Sequence, residues 1–314
     1  MTVTRPLVSV GLPTYNRADT LRHAIESVLS QNYPCLELVI SDNASTDGTQ
    51  QMCEEYARRD SRVVYHRQPN NRGAHENFER ALAESHGEFF MWLGDDDWLD
   101  QEDYILRCVD FILRNSDCEL VCGRVRYFRD GELCYDQDEM NLTQDSAAER
   151  VLDYFRRVGM NGVFYGLMRR TSAKEVSPKD YFAGDWLFVG QLAARGKVHT
   201  LPDVWLNRSI AGVSSDVRSL ARRAGLRGIG ARHPHDYIAL GVFKDIAWES
   251  PFYEPLGKAN RVILGMKSAA AIVRRYGAGT LGAPLASSFN ELRSRVILRT
   301  RLRIFLHKYL YRGQ

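Results

Sequence analysis

Three adjacent carboxylates, Asp95, Asp96 and Asp97, stand immediately after the apolar run Phe89–Leu93. Side by side they repel one another, and a divalent cation, which takes hard oxygen ligands, relieves that repulsion. Such a cation can also bind a diphosphate and neutralise charge on a departing nucleoside diphosphate. An acidic surface loop capping a helix that starts at Leu99 explains the triplet equally well, because acidic residues favour helix starts. Asp42, in Ser41-Asp42-Asn43-Ala44-Ser45-Thr46-Asp47-Gly48, can accept hydrogen bonds from a base or a ribose. Pro13-Thr14-Tyr15-Asn16-Arg17 offers backbone amides and a guanidinium to a nucleotide, with Tyr15 beside the base, although a plain helix start would look the same. Asp185, in Ala183-Gly184-Asp185-Trp186, precedes an apolar helical run. In a pocket it can take the proton of an acceptor hydroxyl; judged alone, it is more often a helix cap.

The elements that must position these residues alternate. Leu7–Leu12, Leu36–Ser41, Arg62–Arg67 and Glu88–Leu93 read as buried strands. Between them lie helical patterns: Leu21, Ala24, Ile25, Val28 and Leu29; then Met52, Cys53, Tyr56 and Ala57, capped by Ser45 or Thr46; then Glu76–Glu84. This order predicts an α/β fold with a mostly parallel sheet and helices on both faces. Ligands of such sheets bind beyond the carboxyl ends of the strands. Pro13–Arg17, Asp42–Asp47, Pro69–Gly73 and Gly94–Trp98 are all polar loops at those ends. Further on, Glu119–Val125 reads as a strand and Ser146–Val158 as a helix. From about residue 218 the chain reads as mainly helical, with loops near His233–Pro234 and Ser250–Gly257.

The chain has 314 residues, 44% of them hydrophobic and 26% charged, which fits a folded protein with a sizeable core and excludes long disorder. Its six cysteines form no C-x-x-C pair and suit reduced core thiols in a cytosolic protein. No secretory leader and no run long enough to span a bilayer is evident, so the expected place is the cytoplasm. The net charge of +3 conceals −10 over residues 1–217 and +13 over 218–314. That asymmetry suggests an anionic surface as a partner of the C-terminal third. Leu298, Leu302, Phe305, Leu306, Tyr309 and Leu310 share one helical face there, beside a row of Arg295, Arg299 and Arg303. Such a helix can lie on an anionic membrane, or it can pack on the catalytic unit or a second subunit as a homo-oligomer contact. Nucleic acid is not expected, since no recognised binding motif accompanies the charge.

Two tempting patterns fail on context. Gly277-Ala278-Gly279-Thr280-Leu281-Gly282 matches a dinucleotide fingerprint but follows a basic stretch instead of a strand, and reads as a turn. His233-Pro234-His235-Asp236 lacks further metal ligands and reads as a loop.

Taken in order, Val8–Arg17, Leu38–Thr49, Asn70-Asn71-Arg72-Gly73 and Gly87–Asp97 resemble the signature of the family-2 glycosyltransferases, over roughly Val8–Ser215. The resemblance implies a GT-A, Rossmann-like catalytic domain over 1–217, with a basic helical region over 218–314. It implies that Pro13, Thr14, Tyr15, Asn16, Arg17, Asp42 and Asn43 belong to nucleotide-binding loops, and that Asn71 and Gly73 belong to the donor pocket. Asp95 and Asp97 become the D-x-D metal site for Mn²⁺ or Mg²⁺, with Asp95 and Asp96 beside the donor. Arg208 comes near the phosphates and Asp185 serves as general base. Two departures stand out. Gly184 occupies a place where many relatives have Glu, and no His follows Arg208 in Ser209–Gly212, where some relatives place a metal contact.

The implied activity is transfer of a sugar, with inversion, from a nucleotide diphosphate sugar to an acceptor hydroxyl. The acceptor is a saccharide or lipid-linked saccharide in cell-surface polysaccharide or glycoconjugate assembly. UDP- or dTDP-sugars suit Asp42 better than GDP-sugars. The enzyme would be cytoplasmic or peripheral on the inner membrane. An inactive nucleotide-sugar-binding scaffold at the membrane is the non-enzymatic alternative. A sugar-nucleotide nucleotidyltransferase would need a Gly-rich basic loop after the first strand, and Gly11-Leu12-Pro13-Thr14-Tyr15 does not supply one.

Overall fold

Alternation decides where each strand of the central sheet sends its side chains. In β1 (Val8–Thr14), Val8, Val10 and Leu12 enter one apolar core. In β4 (Phe89–Trp92), Phe89 and Met91 join them, while Phe90 and Trp92 point into a second core on the opposite face. Both faces are therefore buried, as the near-continuous apolar strands require. The computed structural model describes residues 5–210 and 217–276.

β1 pairs in parallel with β2 (Leu36–Asp42) and with β4, and β2 pairs in parallel with β3 (Val63–Arg67). Beyond β4 the sheet turns mixed. β8 (Leu167–Arg169) runs antiparallel to β4 and to β6 (Cys118–Arg129). β9 (Lys197–Ser209) runs parallel to β6, and β5 (Trp98–Leu99) lies antiparallel on its edge. A further strand, β7 (Glu132–Asp136), forms an exposed hairpin with β6. The full order is β3-β2-β1-β4-β8-β6-β9-β5.

Helices α1 (Leu21–Leu29), α2 (Thr49–Arg59) and α4 (Tyr104–Arg114) cover one face. The other is covered by α3 (Ala74–Ala83), α5 (Ala147–Arg157), α6 (Arg170–Val176) and α7 (Gly184–Arg195). After the short helices α8 (Val217–Arg223) and α9 (Gly228–Arg232) come α10 (Pro234–Lys244) and α11 (Lys258–Tyr276). Ile238, Val242, Ile272 and Val273 of this last pair pack in the same core as Phe155 and Phe188. Described helices of the C-terminal third are thus built onto the sheet.

Several local expectations change. Residues 98–99 form an edge strand, and the next helix begins at Tyr104, so the acidic triplet caps no helix at Leu99. Helix α2 is not capped by Ser45 or Thr46; Asp47 Oδ1 accepts from the Thr49 amide at 2.9 Å. His233–Pro234 is the start of α10, with Pro at its first turn, where a missing amide costs nothing. Pro251–Leu256 is a 3₁₀ helix instead of a loop. The Gly277–Gly282 pattern and the basic helical face over 295–310 lie outside the described residues. Among those described, no helix is long and apolar enough to cross a membrane, and the six cysteines are unpaired.

One buried contact ties α4 to the strand beside it. The Gly123 amide donates to the Tyr104 hydroxyl at 2.9 Å, where β6 bulges between Gly123 and Arg124. Tyr104→Phe leaves that amide unpaired, so it should lower unfolding free energy by about 1–3 kcal/mol with an unchanged denaturant slope. Urea titration checks this; a loss below about 0.5 kcal/mol would mean the amide finds another partner.

Candidate active site

The loops after β1, β2 and β3 lock into one another. The Asn43 amide comes within 3.0 Å of the Thr14 carbonyl. Asn16 donates its amide to Ser45 Oγ and accepts from the Thr46 amide, at 2.9 and 2.8 Å. The Arg17 amide donates to Thr49 Oγ1 at 3.0 Å. The Asn43 side chain donates to Asn71 Oδ1 and the Gly73 carbonyl, and accepts from the Arg72 amide. Asp42 is fully buried beneath this lattice. Its two oxygens accept from the Ser45 amide and the Tyr65 hydroxyl, both at 2.8 Å, and Arg67 Nε stands 3.7 Å away. Its carboxylate therefore shapes the loop that a base would meet. Tyr15 is exposed at the loop tip.

The acidic triplet divides into unlike members. Asp97 is buried and committed: Oδ2 accepts from Arg208 Nε at 2.8 Å and Oδ1 from the Ser209 amide at 3.0 Å. Asp95 lies 3.5 Å from Arg17 Nε; burial raises its carboxyl above the usual range, and Arg17 works against that rise. Asp96, half-buried, is pushed up to about 6 by burial, then by the charges of Asp97 and Asp95. Both carboxylates expected to hold a metal, Asp95 and Asp97, face a guanidinium, Arg17 and Arg208 respectively. Among the described residues no group of three or more His, Cys, Asp or Glu side chains is placed to hold an ion.

Arg208, near the end of β9, is the hinge of the site. Its guanidinium carbon sits 4.0 Å from the centre of the Tyr165 ring and 5.8 Å from that of Tyr127. Burial opposes its charge, but Asp97 more than offsets this and holds it firmly protonated. A cleft of about 880 Å³ opens beside it, lined by Arg208, Tyr127 and Tyr165 and, from the helical side, by Asp185, Trp186 and Tyr276.

Asp185 lies in the first turn of α7, whose cap residue Ala183 has φ 65°. Burial raises its carboxyl above the ordinary range; an Asn161 hydrogen bond and the Arg208 charge pull the other way. Asn161 donates to Asp185 Oδ2 at 2.8 Å and accepts from the Tyr154 hydroxyl at 2.9 Å. That chain fixes which way the carboxylate faces. Sequence reasoning missed Asn161, Tyr165 and Tyr127; Asn161-Gly162 signals only a turn, and no spacing links these three to Asp185 or Arg208. His235 from the rejected His-Pro-His motif stacks on Tyr276, with ring centres 4.5 Å apart.

The sequence model of glycosyl transferase family 2 matches residues 9–177. The chain belongs to that family. It is 36% identical over 183 residues to the GalNAc(5)-diNAcBac-PP-undecaprenol beta-1,3-glucosyltransferase of Campylobacter jejuni, a match covering 57% of each chain. The chain spans between 20% and 57% of the length of the curated relatives it matches. Among solved structures, the Pyrobaculum calidifontis mannosyltransferase PcManGT, in complex with GDP-Man and Mn²⁺, is similar with a TM-score of 0.53. It shares 18% identity, over 95% of this chain and 83% of the other. S. aureus TarS in complex with UDP gives a TM-score of 0.53 at 17% identity, over 85% and 80%. These two likenesses concern the fold, and they agree with the GT-A architecture of the sheet.

The unlike carboxylates respond differently to substitution. Asp97→Asn strands the buried Arg208 charge and should cost about 3–5 kcal/mol in a urea titration. For Asp96 the folded-state value near 6 exceeds the free value of 3.8. The folded state then binds the proton more tightly, so this group's contribution to stability falls as pH rises between those values and stays low above them. Asp96→Asn should therefore gain on the native protein at about pH 7 relative to about pH 4.5. An identical difference at both pH values would sink this assignment.

Proposed function

We propose that this family-2 glycosyltransferase moves a sugar from a nucleotide diphosphate sugar to an acceptor hydroxyl, inverting the anomeric carbon. The observation that carries the reading is the continuity from Asp97 through Arg208 to the cleft that holds Asp185. Donor-side and acceptor-side groups stand on one rigid frame.

In this reading the interlocked loops Pro13–Arg17, Asp42–Asn43 and Asn71–Gly73 form the nucleotide pocket, with Tyr15 available to stack on the base. Arg17 and Arg208 supply fixed positive charge near the diphosphate. Asp95 and Asp96 fit a divalent cation by chemistry: two hard oxygen donors, each carrying a carboxyl that neighbours and burial make costly to ionise. Mn²⁺ or Mg²⁺ there would neutralise charge on the leaving diphosphate. With so few protein oxygens, much of its coordination has to come from the diphosphate itself and water.

Asp185, held by Asn161, accepts the acceptor's hydroxyl proton. The acceptor oxygen forms its bond to the anomeric carbon from the face opposite the diphosphate. The bond from that carbon to the diphosphate oxygen breaks, and its electron pair leaves with the nucleoside diphosphate. A carboxylate whose proton affinity is raised by burial is a stronger base than a free one. The raised value also sets the pH response: turnover should fall as pH drops through the folded-state value of Asp185 and plateau above it.

Cell-surface polysaccharide or glycoconjugate assembly is the setting we favour. Supporting it is the likeness to the Campylobacter jejuni glucosyltransferase, whose acceptor is a saccharide linked to undecaprenol through a diphosphate. A lipid-linked saccharide is accordingly the favoured acceptor class, and UDP- or dTDP-sugars the favoured donors.

Thermal unfolding in the presence of UDP, dTDP and GDP, each with and without Mn²⁺, tests the donor half. A ligand at a hundredfold excess over Kd stabilises by about 2.7 kcal/mol. That shift should need nucleotide and metal together, with Mn²⁺ alone giving little, and should vanish in Asp95→Asn and Asp96→Asn. Asp185→Asn should keep the shift and lose sugar transfer and donor hydrolysis. No shift with any nucleotide in folded protein would overturn the donor site; turnover retained by Asp185→Asn would overturn the base.

A further inference from the structure

The loop that leads into α7 carries no regular structure of its own between Ser177 and Ala183. Yet it decides where Asp185 stands. It folds back sharply: the Tyr181 amide donates to the Lys179 carbonyl at 2.7 Å, and the Gly184 amide to the Tyr181 carbonyl at 2.8 Å. A Cβ on residue 184 would lie 2.2 Å from the Lys179 carbonyl oxygen. Gly184 is therefore the residue this turn demands.

The loop is fastened to the C-terminal helices at two points. Lys179 Nζ donates to Asp245 Oδ1 at 2.6 Å. Asp245 is fully buried, and both its oxygens also accept from Gln191 Nε2 of α7, at 2.9 and 3.0 Å. Asp245 opens a π-helical turn, Asp245–Glu249, whose carbonyl at Ile246 and neighbour at Ser250 accept from the buried Arg261 of α11. The second fastening is Tyr181. Its ring stacks on Tyr237 of α10, with centres 5.0 Å apart and planes 10° apart, and its hydroxyl donates to the Tyr237 carbonyl at 2.7 Å. The ring fills the space over Gly241, where a Cβ would come within 2.4 Å of it.

Neither fastening is needed for the loop's own turn. Both hold a segment that lines the cleft, the first with the buried carboxylate of Asp245, and both come from elements after residue 233. We infer that α10 and the π turn at Asp245 are a positioning clamp. Through Lys179–Asp245 and Tyr181–Tyr237 they hold the 178–183 loop, and with it Asp185, in the geometry for proton removal from the acceptor. The inference rests on Asp185 acting as the base. Lys179, Tyr181, Gly241 and Asp245 are positioning residues under it.

Two variants release the clamp with little direct damage elsewhere. Gly241→Ala displaces the Tyr181 ring while improving local helix propensity. Lys179→Met removes one tether, and Lys179→Arg should largely rescue it. Donor hydrolysis is followed with UDP-glucose, UDP-N-acetylglucosamine and GDP-mannose, alongside amide hydrogen exchange of the full chain. Small misplacements of reacting groups cost up to about a hundredfold in rate. Both variants should lose about tenfold or more in kcat, with KM for the sugar nucleotide and the UDP–Mn²⁺ thermal shift unchanged. Exchange should quicken in residues 178–185 and not in residues 8–67. The clamp is overturned if kcat and local exchange stay native in both variants while Asp185→Asn is inactive. Exchange that quickens evenly across the chain overturns it too, because that marks a general loss of stability. Turnover surviving in Asp185→Asn removes the base and the clamp's role together.

Discussion

A single buried ion pair, Asp97 with Arg208, joins the end of the central parallel strand to the end of β9. Energetically such a pair is worth little against an apolar substitute, because desolvating both charges absorbs most of their attraction. Positionally it is decisive. Arg208 and the Ser209 amide take both oxygens of Asp97, which anchors the acidic triplet to the end of β9. With Arg208 satisfied by Asp97 and laid on Tyr165, its charge reaches the cleft and lowers the cost of ionising Asp185. Removing either partner would leave a charge in a dry place and free both halves of the site.

Around this pair the chain accepts local strain. Six described non-glycine residues have positive φ, and four of them, Asn16, Ala44, Asn161 and Ala183, belong to the site's loops. Left-handed backbone costs an alanine about 1–2 kcal/mol. Asn16 and Asn161 recover part of this through side-chain hydrogen bonds to neighbouring loops. Ala44 and Ala183 have no such means, so surrounding contacts must hold them. Strain of this kind persists where the fold over-determines it. Here it shapes the interlocked loops after β1 and β2 and starts α7 beside the cleft that Asp185 lines.

The four N-terminal strands and the polar loops at their carboxyl ends were legible in the sequence because parallel strands announce themselves as continuous apolar runs. Nearly every residue expected at those loops is where the strand ends place it. What was not legible is whom each residue meets. Three adjacent aspartates look equivalent in a sequence; only the approach of β9, more than a hundred residues later, pairs Asp97 with Arg208, while Asp95 faces Arg17. Asn161 and Tyr165 gave no signal, since a turn asparagine and a lone tyrosine are ordinary until Asp185 and Arg208 arrive beside them. The helix at Pro234 was masked by a His-Pro pair that reads as a break but serves as a first turn.

The two halves of the candidate site are therefore built by different means. At the ends of β1, β2 and β3, short loops brace one another across neighbouring strands. Around Asp185 the contacts come from Asn161, from Lys179–Asp245 and from Tyr181 on α10, the last two across longer separations in the chain. The family's sequence model ends at residue 177, before α7 begins. The buried bridge Asp97–Arg208 joins the two sets of contacts: its carboxylate follows β4 in the parallel half of the sheet, and its guanidinium lines the cleft that Asp185 also lines.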